Sequence, residues 1–422
     1  MKVCIVVTIP RTKSSYDKRS YDAFYRSRVG LAPGPVFAIL GVLSGIYFLL
    51  TGTVWAVTGE FTRLGGHLAE ALGADIQSWK YYQEVTTMEG NPLQRTDGWI
   101  VVAMLTGSLA AALITGDFCW RIPPLKRRWV QVLCGGIIAG FGARLAFGCN
   151  LAAMFTGIPQ FSLHAWIFTI MTAVGTAVGV KIIKMPWWRG PSKPKPVNTP
   201  KVGLGDVRRQ QQRKRWLGIA VTIVTLIIAG FYFASGQPLL GVAVLFGLAF
   251  GVLIQRGQIC FTAAFRDLWV TKKTKLADSL IIGLAAAVVV TFAVLLLTDA
   301  TPLTKPAGWG TILGGFLFGI GIIFAGACET GMMYRAMEGQ LVAWVAFAGN
   351  IIGATVLAYG WDHWGVYDAL VANAIRFNFY ESWGSWLALI ASLAALGLWW
   401  LAQAPLRTDR RDRLDAQYGK DN

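Results

Sequence analysis

The chain has 422 residues, 55% of them hydrophobic and only 14% charged, with a formal net charge of +17. That is too apolar for an ordinary soluble protein. The basic residues sit between the apolar runs, where membrane topology puts them, so the charge does not point to a nucleic-acid partner and none is expected.

In chain order, residues 1–33 form a basic segment with Arg11, Lys13, Lys18, Arg19, Arg26 and Arg28 and no signal-peptide pattern. Apolar runs long enough to cross a hydrocarbon core, which takes roughly 20 helical residues, then follow. Residues 34–184 form a first membrane repeat, with spans at Pro35–Val57, Trp99–Thr115, Val130–Phe147 and Trp166–Ile183. Residues 185–215 read as a basic, proline-rich cytoplasmic linker. Residues 216–404 hold a second repeat plus an extra span, through Trp216–Ser235, Leu239–Ile254, Leu280–Leu297, Ile312–Ala327, Leu341–Tyr359 and Trp386–Ala402, before a cytoplasmic tail at 405–422. The expected fold is all-α: a polytopic membrane protein of about ten spans.

Lys and Arg counts set the orientation. The N-terminal segment, Arg121–Arg128, the linker, Arg256–Lys275 and the tail are basic, whereas Glu60–Asp97 is rich in acids. Ten spans then alternate with both termini cytoplasmic, as expected for a multi-pass protein of a bacterial inner membrane. Gly135–Gly157 aligns without gaps on Gly314–Ala336, matching Gly135/Gly314, Gly142/Gly321, Cys149/Cys328 and Met154/Met333. A weaker match lays Gly41–Trp55 on Gly247–Phe261, which sets Thr53 and Val54 of the first half near Cys260 of the second. The two copies exit toward opposite sides, so they are expected to be inverted repeats, an arrangement typical of transporters with a path at the repeat interface.

Short segments follow Cys149, Cys260 and Cys328, too short to cross a membrane, and are expected to be re-entrant half-helices. A half-helix start presents free N–H groups and a positive dipole end to an anion. A thiol there adds a soft, polarizable contact for sulfur or selenium. The plain alternative is that these cysteines are small buried hydrophobes, but packing alone does not explain their repeated register. Arg144 and Glu329, together with Asn150 beside Cys149, complete the candidate substrate path. Arg144 can neutralise a passing anion or form an internal ion pair, and Arg266, Asp267, Arg335 and Glu338 are expected mainly to brace the turns. Cys4, Cys119 and Cys134 read as incidental, and no metal or cofactor motif is present.

QRGQICFTAAFRD (255–267), AGACETGMMYRAMEGQ (325–340) and GFGARLAFGCNLA (140–152) resemble the YeeE/YedE family of sulfur transport proteins. GTVWAVTGEFTRLGG (52–66) and GCNLAAMFTGIPQFSLHAW (148–166) are similar to its YedE branch, associated with selenium metabolism. The resemblance implies an hourglass-shaped membrane fold and uptake of a small sulfur- or selenium-containing anion, relayed by three central cysteines that fall on Cys149, Cys260 and Cys328. It also implies a small cytoplasmic sulfur-carrier partner of the TusA type. The competing class is a membrane sulfur or selenium transferase that forms a persulfide or selenosulfide on one of these thiols.

Overall fold

The computed structural model describes residues 30–123, 125–188 and 204–407. The expectations for the N-terminal segment, most of the linker and the tail beyond Arg407 lie outside these residues. Ten helices among the described residues are long and apolar enough to cross a membrane.

The first half contains α1 (Pro33–Thr51), α2 (Thr58–Ala71), α3 (Thr96–Thr115), α4 (Lys126–Leu145), a π-helical turn at Asn150–Phe155, and α5 (Leu163–Ile183). Next come α6 (Leu204–Ala234), α7 (Pro238–Gly257), α8 (Phe261–Val270), α9 (Lys275–Leu297), α10 (Trp309–Ala325), α11 (Glu329–Met337), α12 (Leu341–His363) and α13 (Ser385–Ala402). Each expected span has its helix. α6 starts earlier than the sequence suggested, inside the basic linker, because its run of Arg, Gln and Lys consists of good helix formers.

Glycines on the inner helices decide how closely the elements approach. A β-carbon on Gly135 of α4 would overlap the backbone of Ala325 on α10, and one on Gly314 of α10 would overlap that of Ala146 just beyond α4. Likewise Gly142 meets Phe318, and Gly321 meets Ala139. The start of α4 therefore lies against the end of α10 and the reverse, so the two run antiparallel with matching residues exchanging partners. The same exchange relates the next layer. Gly136 of α4 faces the carbonyl of Ala346 on α12, while Gly315 of α10 faces that of Phe168 on α5. On the other flank Gly41 of α1 packs on Gly283 of α9, and Gly107 of α3 packs on Leu248 of α7. Small residues that let backbones touch hold helices together in lipid, where no hydrophobic driving force acts between them.

α6 packs on α3 and α7, and α13 on α9, both at the periphery. Their outer faces expose Trp216, Ile227 and Phe231, and Trp386, Ile390 and Leu398. These exposed apolar side chains suit contact with acyl chains. The interior between the halves is closed by Phe37, Phe155 and Phe261, whose rings are 5.6–6.1 Å apart.

Candidate functional site

Three helices break in one way. α4 ends at Leu145, α7 at Gly257 and α10 at Ala325, and the chain then enters the left-handed region at Phe147 (φ 53°), Gln258 (φ 49°) and Gly326 (φ 83°). Two residues further on stands a cysteine in extended backbone, which is the N-cap of the next short helix: Cys149, Cys260 and Cys328. Glycine adopts the left-handed geometry freely, whereas a residue with a β-carbon pays about 1 kcal/mol or more for it. Packing holds the two exceptions. The Phe147 ring meets Trp361 edge-on at 5.7 Å, and Gln258 Nε2 donates to Glu338 Oε1 at 2.6 Å and to the carbonyl of Gln255 at 2.9 Å.

All three thiols are buried. The Sγ atoms of Cys260 and Cys328 are 3.9 Å apart, and Cys328 Sγ lies 3.1 Å from Thr330 Oγ1. Gly331 makes this possible, since a β-carbon there would sit 2.9 Å from Cys260 Sγ. Cys149 Sγ accepts from the backbone N–H of Leu151 at 3.4 Å, and Thr58 Oγ1 donates to it at 3.8 Å.

Thr58 was not among the residues picked from sequence. The weak repeat match pointed to Thr53 and Val54, but the Thr53 side chain bonds at the end of α1, with Thr51 and Tyr47. Thr58 opens α2 and stands to Cys149 as Cys260 stands to Cys328. The stretch between α1 and α2 is longer than that between α7 and α8, so an ungapped frame stops short of it. A threonine followed by Glu60 is a helix-start signal that could have located it.

Glu329, next in sequence to Cys328, has 1% of its surface exposed. Its Oε1 lies 3.5 Å from Arg144 Nη2, and its Oε2 has no hydrogen-bond partner among the described residues. Cys149 and Asn350 flank the same carboxyl group. The amides of Asn150 and Asn350 and the Nε of Arg144 are likewise buried and unpartnered among the described residues. Arg144, Glu329 and Cys149 are thus brought together, as are Cys328 and Cys260; Glu329 follows Cys328 in the chain and Asn150 follows Cys149. Tyr81, from the loop after α2, stands behind Arg144.

The other ionisable residues near the cysteines bond within the protein. Arg266 bonds to its neighbour Asp267 at 2.8 Å. Arg335 donates to the carbonyl of Gly326 at 2.8 Å and to Tyr334 Oη at 3.2 Å, which fixes the turn that precedes Cys328. Glu338 accepts from Gln255 Nε2 at 3.1 Å and from Gln340 Nε2 at 3.3 Å. In the first turns of α2, Glu60 holds Arg95 at 2.9 Å and Arg63 at 3.3 Å, and Arg63 reaches Asp97 at 3.1 Å, which ties the start of α2 to the start of α3. Cys134 is exposed, and Cys4 lies outside the described residues. No group of His, Cys, Asp and Glu suited to a metal occurs among the described residues.

Ten membrane-length helices around a buried polar and thiol core define an all-α polytopic membrane protein. A family model described as sulphur transport matches residues 7–178 and 256–419, and the chain belongs to that family. It is 45% identical over 375 residues to the probable transporter YedE of Escherichia coli K12, covering 87% of this chain and 92% of that one. It is 46% identical over 353 residues to the probable transporter YedE of Salmonella typhimurium LT2, covering 84% and 86%. The thiosulfate transporter TsuA of Escherichia coli K12 is 35% identical over 161 residues, 36% of this chain and 44% of that one. The chain is a sulfur-related membrane transporter, and its membership of the YeeE/YedE family agrees with the sequence motifs.

Proposed function

We propose that the protein takes up a small sulfur oxyanion of the thiosulfate type, or its selenium counterpart, by passing it along Cys149, Cys328 and Cys260. The observation that carries this reading is that each of the three cysteines holds the N-cap position of a short helical segment, where a dipole end and a polarizable sulfur converge. Successive weak sites let a solute enter and leave, which one tight site does not. Arg144, Asn150 and Glu329 line the part of the path around Cys149.

The exchanged contacts of α4 with α10 support reading the halves as inverted repeats. The charge count then places both termini on the cytoplasmic side of a bacterial inner membrane, with the short helices re-entrant and lipid around the bundle. Cys260 and Cys328 lie toward the cytoplasm, where a TusA-like sulfur carrier would collect the solute. The relative named as a thiosulfate transporter supports the substrate class, and the selenium reading rests on resemblance to the YedE branch.

Uptake of labelled thiosulfate and labelled selenite into cells carrying Cys149→Ala, Cys260→Ala or Cys328→Ala tests the proposal. Each change is expected to reduce uptake at least tenfold for the transported anion. Uptake that survives all three changes would sink the relay.

A further inference from the structure

A dianion arriving beside Cys149 meets a pair of side chains whose charges already cancel. Arg144 and Glu329 face each other at 3.5 Å and neutralise one another when both are charged. A guanidinium drawn to an incoming oxyanion leaves the carboxylate beside two negative charges in a buried site. Like charges at close range favour the protonated acid.

The geometry points that way independently. Oε2 of Glu329, Nε of Arg144 and both polar atoms of Asn150 and Asn350 are buried without partners among the described residues. These residues are at most 3% exposed. Buried polar groups are nearly always satisfied, so the unsatisfied atoms of Glu329, Arg144 and Asn350, which face one another, mark a place for something small and polar. The two amides and the guanidinium can donate to an oxyanion, while the carboxylate can serve one only as a protonated donor.

We propose that Glu329 is the proton-coupling site of this transporter: it takes up one proton when the anion displaces it from Arg144, and the proton crosses with the anion. This rests on the path reading above. The charged group facing Glu329 is Arg144, and the other facing groups are the Cys149 thiol and the uncharged Asn350. The phenol of Tyr81 stands behind Arg144. α3 and α7 also pack on α11, but they bring Asp117, Gln255 and Arg256 to its far end, around Glu338.

The test uses purified full-length protein in liposomes, with the membrane potential clamped to zero and labelled thiosulfate as the probe. Wild type is expected to accumulate thiosulfate about tenfold for each pH unit of inward proton gradient. It should also acidify the lumen, read by a trapped pH-sensitive dye, when thiosulfate is added outside. Glu329→Gln is expected to exchange internal for external thiosulfate at a rate that no longer responds to pH, and not to accumulate it.

Wild-type exchange without gradient-driven accumulation or lumen acidification overturns proton coupling and leaves the path intact. Accumulation that persists in Glu329→Gln overturns the assignment of the proton to this residue. So does loss of exchange in that variant, because the amide should mimic the protonated, loaded state. Absence of exchange by wild type defeats the path reading itself, and this proposal with it.

Discussion

Cys149 and Cys328 occupy the same register of two repeats, yet they do not have the same company. Cys328 Sγ meets a second thiol, that of Cys260, at 3.9 Å, whereas Cys149 Sγ meets the hydroxyl of Thr58 at 3.8 Å. Thr58→Val keeps the shape and removes the donor. It is expected to lower uptake at limiting substrate about three- to tenfold, the effect of one hydrogen bond of ~1 kcal/mol, while Thr58→Ser retains most of it. Equal uptake by Thr58→Val and wild type would make Thr58 a packing residue. The ion pair of Arg144 with Glu329 has a different signature. Arg144→Gln leaves a carboxyl group in a buried site and is expected to cost about 3–5 kcal/mol of stability. The double change Arg144→Gln with Glu329→Gln should cost clearly less, and unfolding of the two proteins in detergent measures the difference. Asn350 poses the opposite case. Its amide is buried and unpartnered among the described residues, so if the proposed path runs past it, Asn350→Leu is expected to leave stability unchanged or raise it while uptake falls. A drop in melting temperature of several degrees would argue for a structural role instead.

At the scale of elements, the break before each cysteine is the device that aims the thiols. A left-handed residue is followed two positions on by an extended helix N-cap at Phe147–Cys149, Gln258–Cys260 and Gly326–Cys328. The sequence announces only Gly326, because phenylalanine and glutamine do not advertise that geometry. The short helices after Cys260 and Cys328 were legible from their length, although the segment after Cys149 forms a π-helical turn rather than an ordinary helix. The crossing of α4 and α10 depends on glycine in a way that can be measured. In Gly142→Ala the new β-carbon would lie 2.5 Å from the backbone of Phe318. This should destabilise the protein by about 1–3 kcal/mol, the usual cost of overpacking, with lost monodispersity in detergent as the readout. The exposed Gly230 of α6 has open space around it, so Gly230→Ala should be neutral or slightly stabilising.

For the whole molecule, the three thiols are at most 2% exposed and the rings of Phe37, Phe155 and Phe261 close the space between the halves. Two apolar recesses, one beside Trp166 and Phe379 and one beside Trp309 and Ile375, open on the surface and are lined by none of the thiols. The thiols are closed off from the surface in this conformation, and passage along the proposed path requires the short helices or these rings to move. The proposed orientation has its own test. Gln77 and Lys273 are both exposed, and cysteines placed there, in a background with Cys134 replaced by serine, should react with a membrane-impermeant thiol reagent from opposite sides. Reaction of the Gln77→Cys protein from the cytoplasmic side would reverse the assignment.

The sequence by itself determined the membrane class, the ten apolar helices, the repeated glycines and the cysteine register. Each of these is written in local hydrophobicity and spacing, which lipid reads directly. Only the tertiary structure decided which groups meet. The stretch between α1 and α2 hid Thr58 from any ungapped comparison, and the pairing of Arg144 with Glu329 joins residues from different halves of the chain. Asn350 had no distinguishing pattern on an apolar helix, and it stands out once it is seen buried beside Glu329 without a partner among the described residues. Periodicity along a chain carries information about faces and lengths, whereas contacts between distant segments depend on loop lengths and helix crossings that the packed fold alone settles.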